Sequence, residues 1–327
     1  MEASDGQFFL SESHVPAPMD NFGRVGRELV ASGLGCVIAD GSLNCLEVAK
    51  VKLQLQDVKR PLYSPASLGQ CFKVTLADDG LYRGLLEPGL GATVLRSMTY
   101  ASFRVGMYST IRDNVTILNS GGVAPPSLAD RMLAGALSGS FATALFAPVD
   151  VVRLRMQGDA GAVCPKTGLL LTGLRKGLPP RHTSTLAAFG ELYRKEGIRR
   201  GLYGGASAAM LRAAVLSSAQ LASYETLKRT ACEVFSLSEE PTVLHLSCAL
   251  LSGLIAQTFV QPVDTARTYF MAGGGTWKSL FQKVKAEGMY SWGYRGFAAA
   301  CLRQGPIMVI QLPLIEKFRL LLGVGYL

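Results

Sequence analysis

Three arginines, one in each third of the chain, are the residues best placed to do chemistry: Arg96, Arg212 and Arg303. Each stands in an apolar stretch and is followed at one fixed interval by Tyr108, Tyr224 or Ile315. On an ideal helix, at ~1.5 Å per residue, that interval is about 18 Å. It sets the arginines well inside the element that carries them. An ionised group at the centre of a bilayer costs roughly 2.5–3.5 kcal/mol on insertion scales, so a charge held there calls for a function. A guanidinium fork matches a carboxylate bidentately. Three of them without acids need an anion, and a two-carboxylate solute offsets them better than a cation or a sugar. The competing reading is structural pairing with buried carbonyls or with Asp40.

A second set of charges repeats with the first. NCLEVAKVKLQ from Asn44, APVDVVRLRMQ from Ala147 and QPVDTARTYFM from Gln261 each place an acid three residues before a base. The acids are Glu47, Asp150 and Asp264, and the bases are Lys50, Arg153 and Arg267. Such a pair on one helix is worth ~0.2–0.5 kcal/mol if it closes locally; the alternative is pairing between helices. Downstream lie Tyr82-Arg83-Gly84, the degenerate Tyr203-Gly204-Gly205 and Tyr294-Arg295-Gly296. Three motifs in one order, three times over, identify an internal triplication. Asp40 is the acid least at ease in its apolar surroundings: it either titrates and couples protons to transport or accepts a hydroxyl hydrogen bond.

The elements that must position these residues follow from the apolar runs. Leu29 to Val48, Met132 to Val152 and Val243 to Ala266 end at the acid–base motifs, and each is about long enough to cross a hydrocarbon core. Second runs begin near Pro88, Ala206 and Ala298 and end near Arg112, Lys228 and Arg319. In lipid the backbone must satisfy itself, so these runs read as six spanning helices with both termini on one side. Small residues four apart in the first helices (Ser32 and Cys36, Gly135 and Gly139, Ala249 and Gly253) suit close helix contact. Each repeat also has room for a short surface helix in its polar segment. The middle segment is enlarged by Pro165, Pro179 and Pro180, and its helix resumes near Leu186. Pro148 and Pro262 are expected to kink their helices, and Cys45, in the equivalent place, to leave the first helix straighter. The expected organisation is an extension over 1–25 and repeats over 26–118, 127–235 and 241–323.

Composition agrees with a bilayer as solvent. The chain is 49% hydrophobic and only 17% charged, against about 25% charged in soluble domains. The net charge of +9 is not gathered into a dense basic face, which disfavours nucleic acid. Seven cysteines form no CxxC pair and read as small packing residues. The first twenty residues hold four acids and no Arg or Lys, the reverse of a transit peptide, so any organellar address is expected to be internal. His14, His182 and His245 form no constellation. No nucleophile–base or metal-ligand set is visible, so neither an enzyme nor a cofactor is expected.

Pro-x-Asp/Glu-x-x-Lys/Arg in three copies resembles the signature of the mitochondrial carrier family, from about Gly26 to Gly323. CVIADGSLNCLEVAKVKLQLQ, TYASFRVGMY, RAAVLSSAQLASYE and RQGPIMV resemble its uncoupling-protein, dicarboxylate and oxoglutarate branch. The resemblance implies an all-α barrel of six helices in the mitochondrial inner membrane, with short surface helices on the matrix side and both termini in the intermembrane space. It implies a matrix-side gate of Glu47 with Arg153, Asp150 with Arg267 and Asp264 with Lys50, braced by Gln54 and Gln157. It implies a cytoplasmic-side gate from Arg112, Glu225, Lys228, Glu316 and Arg319, as Glu225–Arg319 and Glu316–Arg112, with Ser109 breaking a third pair. The Tyr-Arg-Gly elements are implied to bind cardiolipin; anchoring at the membrane interface explains them equally well. Cys45, Tyr269 and Met271 depart from the signature. The expected function is antiport of dicarboxylates or 2-oxo acids by a monomer. A regulated proton leak and a carrier-derived receptor or scaffold are the alternatives.

Overall fold

The computed structural model describes residues 21–56, 62–63, 67–120, 127–164, 166–181, 184–235, 242–273 and 275–323. His14, His182, Pro165 and most of the N-terminal extension lie outside the described residues, as do the side chains of Ser109 and His245. The described chain is helical throughout, with one isolated antiparallel bridge, Val163 to Leu170. The elements are α1 (Asn21–Ser42), α2 (Asn44–Leu55), α3 (Leu68–Asp79), α4 (Leu90–Ser120), α5 (Leu128–Gly158), α6 (Thr185–Gly197), α7 (Ala206–Phe235), α8 (Thr242–Met271), α9 (Trp277–Glu287), α10 (Met289–Gly293) and α11 (Phe297–Leu321). π-helical turns at Tyr82–Leu86 and Ile198–Leu202 precede α4 and α7.

Polar residues set the helix starts. The Ser67 hydroxyl accepts from the Gln70 amide, and Ser184 accepts from Ala187. Ser127 with Asp130, and Thr276 with Ser279, form reciprocal capping boxes. Each satisfies amides that a helix N-terminus leaves bare. The three surface helices are therefore α3, α6 and α9, one per repeat.

The expectation that Cys45 leaves the first helix straighter is overturned. α5 and α8 run unbroken through Pro148 and Pro262. The helix without the proline is the broken one: α1 and α2 meet at about 60°. Gly41 and Ser42 stand at the break, and a Gly/Ser pair is a known cause of sharp bends. The Asn44 side chain fixes the new direction by donating to the Leu86 and Pro88 carbonyls, at 2.7 and 3.1 Å.

The long helices pack in chain order: α1 on α4, α4 on α5, α5 on α7, α7 on α8, α8 on α11 and α11 back on α1. At the signature end α2, α5 and α8 also touch one another. By length and apolarity two runs among the described residues are able to cross a membrane, α5 and Met289–Leu321, or three if the bent α1–α2 pair is one span. The six expected from sequence are not reached by that measure; α4, for instance, carries Arg96, Arg104, Arg112 and Asp113 along its length.

Three glycines, of which the sequence patterns marked Gly205 and Gly296 but not Gly89, hold the second long helix of each repeat (α4, α7 and α11, the even helices) against the signature helices. Gly89, Gly205 and Gly296 stand just before α4, α7 and α11, with φ of 69°, 80° and 71°. A Cβ on Gly89 would lie 3.1 Å from the Arg153 carbonyl, one on Gly205 2.8 Å from Phe270 Cβ, and one on Gly296 3.1 Å from the Lys50 carbonyl. Left-handed backbone and close approach both require glycine here. Gly89→Ala is expected to destabilise by about 1–2 kcal/mol from the backbone alone. Gly190→Ala, in open space on α6, is expected to stabilise by ~0.5–1 kcal/mol. Thermal unfolding in detergent should move in opposite directions for the two.

Candidate solute site

The three signature acids lie where α2, α5 and α8 converge. None pairs with the base three residues along its own helix among the described residues; each reaches the next repeat. Lys50 Nζ is 2.6 Å from Asp264 Oδ2, Arg267 Nη2 is 2.7 Å from Asp150 Oδ2, and Arg153 Nη2 is 3.5 Å from Glu47 Oε2. Gln54 braces the first of these, donating to Asp264 at 3.1 Å while its own carbonyl accepts from Thr268. Gln157 does not brace a pair: it donates to Asn44 Oδ1, 3.1 Å away. Met271, at the equivalent place in the third repeat, is fully buried in an apolar cluster with Val151 and Ala209.

The three arginines do not converge without acids, which corrects the sequence reading. Arg96 Nε is 2.6 Å from Asp150 Oδ1, and Arg212 is hydrogen-bonded through Nε to Asp264. Arg303 reaches Glu47 at 3.0 Å and Asp40 at 2.6 Å. The pattern is threefold. The even helix of one repeat gives its arginine to the signature acid of the next, so every signature acid holds two bases. Asp40 stands outside the symmetry and also accepts from Ser97 at 2.6 Å. Six bases (Lys50, Arg153, Arg267, Arg96, Arg212, Arg303) are thus joined to four carboxylates (Glu47, Asp150, Asp264, Asp40), an excess of two positive charges. Arg153 Nη2, Arg267 Nε and Arg303 Nε are buried and have no hydrogen-bond partner among the described residues. The pairs are enclosed rather than half-solvated, with the Asp150 and Asp264 side chains 3% and 2% exposed.

Sequence reasoning missed the polar residues behind this cluster. Thr93 accepts from Arg153 Nε at 2.9 Å and donates to Asn44. Asn44 and Gln261 occupy equivalent places and do the same thing, donating to the turn before the next long helix, at Leu86 and at Arg295. Repetition of a polar residue just before the Cys45 and Pro262 positions was the available signal.

At the other end of the helices the expected Glu225–Arg319 and Glu316–Arg112 pairs are not among the contacts of the described residues. Arg112 bonds its neighbour Asp113 at 2.8 Å, Glu225 pairs with Arg131 at 3.2 Å, and Arg319 with Glu28 at 3.3 Å. Glu225–Arg319 would need α7 to meet α11 and Glu316–Arg112 would need α11 to meet α4, yet α8 and α1 stand between them in the packing order. Of the aromatic-basic-glycine elements, Tyr82 is well exposed on its π-turn. Arg295 is committed inward, to Glu287 at 2.8 Å and to the Gln56 carbonyl at 3.3 Å. Tyr294 donates to the Thr258 carbonyl. Gly84 lies so close to α3 that a Cβ would meet Thr75 and Asp79.

Helices repeated three times, closed on one another around a buried, net-positive ion-pair ring, define a three-repeat α-helical carrier. The family model described as mitochondrial carrier protein matches residues 23–117, 124–234 and 238–325, and the chain belongs to that family of transporters. Among its relatives, mitochondrial uncoupling protein 5 of Arabidopsis thaliana is 29% identical over 316 residues, 88% of this chain and 95% of the relative. The mitochondrial dicarboxylate transporter of Saccharomyces cerevisiae is 28% identical over 282 residues, 84% of this chain and 85% of the relative. Mitochondrial brown fat uncoupling protein 1 of Rattus norvegicus is 26% identical over 302 residues, 90% of this chain and 92% of the relative.

Because each acid holds two bases, exchanging one pair should recover only part of what breaking it loses. Asp150→Arg sets like charges against Arg267 and Arg96. Adding Arg267→Asp restores the first contact and leaves the second. The double variant is expected to unfold between the single variant and the parent in a thermal-shift cycle. A double variant no more stable than Asp150→Arg alone would deny the coupling.

Proposed function

We propose that this chain exchanges small dicarboxylates or 2-oxo acids across the mitochondrial inner membrane by alternating access, as a monomer. The reading is supported above all by the excess of two positive charges in a closed ion-pair cluster: a dianion is the solute that balances it. Buried Nε–H groups of Arg267 and Arg303, without hydrogen-bond partners among the described residues, add donors that a carboxylate is able to accept from. In this reading α1–α2, α4, α5, α7, α8 and α11 are six spans of a barrel whose termini lie in the intermembrane space. Arg96, Arg212 and Arg303 are the solute-binding residues. Glu47, Lys50, Asp150, Arg153, Asp264 and Arg267, with Gln54, form the matrix-side gate in its closed state.

Alternating access also needs the opposite gate. Arg112, Glu225, Lys228, Glu316 and Arg319 form it when the matrix side opens, and the other partners that Arg112, Glu225 and Arg319 hold here fit an open layer on that side. The gate pairs are buried, so an acid stripped of its base would be costly, on the order of 3–5 kcal/mol. Sharing removes that obstacle: when a gate base leaves, the acid keeps the arginine of the preceding repeat. Anionic lipid, such as cardiolipin, is assigned to the Tyr82-Arg83-Gly84 turn in preference to Tyr294-Arg295-Gly296, whose arginine is already spent.

Proton leak is the second reading, favoured by the likeness to uncoupling proteins and by Asp40, the one carboxylate outside the threefold pattern. Asp40→Asn keeps the Ser97 hydrogen bond and removes a titrating group. In a proton-coupled carrier it is expected to abolish the pH-gradient dependence of anion uptake and to retain exchange at equal pH. Liposomes measure both this and the comparison of malate exchange with fatty-acid-dependent proton flux.

The solute assignment is tested by Arg212→Ala and Arg303→Ala. Each is expected to abolish dianion uptake in a folded protein, and Arg→Lys to fail largely, since a point charge does not reproduce the fork. Near-normal exchange by folded Arg303→Ala protein would remove these arginines from the site.

A further inference from the structure

The link from α5 to α6 has a structure of its own, described over residues 159–164 and 166–181. It folds back on its start: Asp159 accepts from the Arg181 amide at 3.0 Å and pairs with Arg175 at 2.9 Å. The Val163–Leu170 bridge, with Leu171 N donating to the Ala162 carbonyl and Leu170 N to the Leu178 carbonyl, stiffens the middle. Leu170 is buried beneath it.

This segment of the second repeat is fastened to the other two. On the first repeat the anchor is Asp79, the last residue of α3. Its Oδ1 accepts from the Ala162 amide at 2.9 Å and from the Thr172 hydroxyl. Its Oδ2 faces Lys52 Nζ at 4.0 Å, and Lys52 is a fully buried residue of α2, two residues after the gate base Lys50 and on the other side of the helix. Ala160 and Leu174 add apolar contact, joining the cluster of Val48, Leu53, Cys71 and Leu85. On the third repeat the anchor is the Ala272 carbonyl, just past α8, which accepts from Arg181 Nη1 at 3.2 Å. The segment therefore ties together the ends of α2 (through Lys52 and Asp79), α5 and α8, the three helices whose convergence closes the ion-pair ring.

We infer that residues 159–164 and 166–181 form a strap that holds the ring-closed arrangement and lets go of Asp79 each time the ring opens. Opening separates α2, α5 and α8, and a stiffened segment fixed at its α5 end does not keep hold of both neighbours as they part. The Asp79 anchor is the one built to release. It consists of two hydrogen bonds to a carboxylate that retains Lys52 when they break. The strap thereby sets how readily this carrier leaves the ring-closed state, and anything that loosens or clamps it changes turnover.

The inference rests on the transport reading, and its test separates the two. Asp79→Cys and Thr172→Cys are introduced together into a chain whose seven native cysteines are replaced by Ser or Ala, and the protein is placed in liposomes loaded with malate. Disulfide formation is verified by mass spectrometry. Oxidation is expected to slow exchange about tenfold or more, with reductant restoring it, because a conformational step is being held. Exchange by the oxidised, cross-linked protein within about twofold of the reduced protein would overturn the strap. The cysteine-free parent with Asp79 and Thr172 intact is run alongside, and its failure to exchange any dianion while folded would overturn the substrate reading instead. Trypsin cleavage after Arg175 and Lys176 reads the strap without transport. Thr172→Val, which removes the donor at similar volume, is expected to speed that cleavage severalfold, and an unchanged rate would count against the anchor.

Discussion

Burying charge is the constraint on which the rest of this protein turns. A carboxylate removed from water is tolerable only when paired and hydrogen-bonded. Here three helices bring Glu47, Asp150 and Asp264 together, and each is met by a base from two different helices. One base comes from the signature helix of the neighbouring repeat, the other from the even helix of the preceding one. These pairs stitch each repeat to the next and fix the threefold order. They also leave the cluster two positive charges in excess, so the proposed anion rests on the same contacts that organise the fold.

Close backbone contact makes those pairs reachable. Gly89, Gly205 and Gly296 let the start of each even helix rest against the signature helix of the next repeat, and the arginine one or two turns further on then meets its acid. The repeats reach this geometry by different local means. Proline marks the place in the second and third repeats; in the first, a 60° break after Gly41-Ser42 and the Asn44 side chain take over. The second basic position varies likewise. Lys52 and Arg155 tie their helices to acids at the ends of α3 and α6, whereas Tyr269 meets Ser279 of α9. The triplicate frame persists while single residues differ, because what is preserved is the distance between helices.

The two ends of the molecule are unequal. At the signature end α2, α5 and α8 touch and their charges are enclosed; at the other end Arg112, Glu225 and Arg319 take nearby partners instead of one another. Shared acids fit the proposed cycle of alternating access. A carboxylate that always keeps one base never carries the full cost of an isolated buried charge.

The sequence alone determined the triplication, the helical character and the identity of the paired charges. Those follow from residue type and spacing, which one chain displays in order. It placed Arg96, Arg212 and Arg303 correctly on even helices and singled out Asp40. It offered Asp40 as a partner for the arginines, but did not reveal that they already hold the signature acids, that Gln157 turns to Asn44, that Arg295 turns inward to Glu287, or that the helix lacking proline is the one that breaks. Each of these depends on which side chain of another repeat lies within about 3 Å, the reach of a hydrogen bond. Residues more than a hundred positions apart, such as Arg267 and Asp150, have no spacing signal between them. Only the packing of one repeat against the next decided their partners.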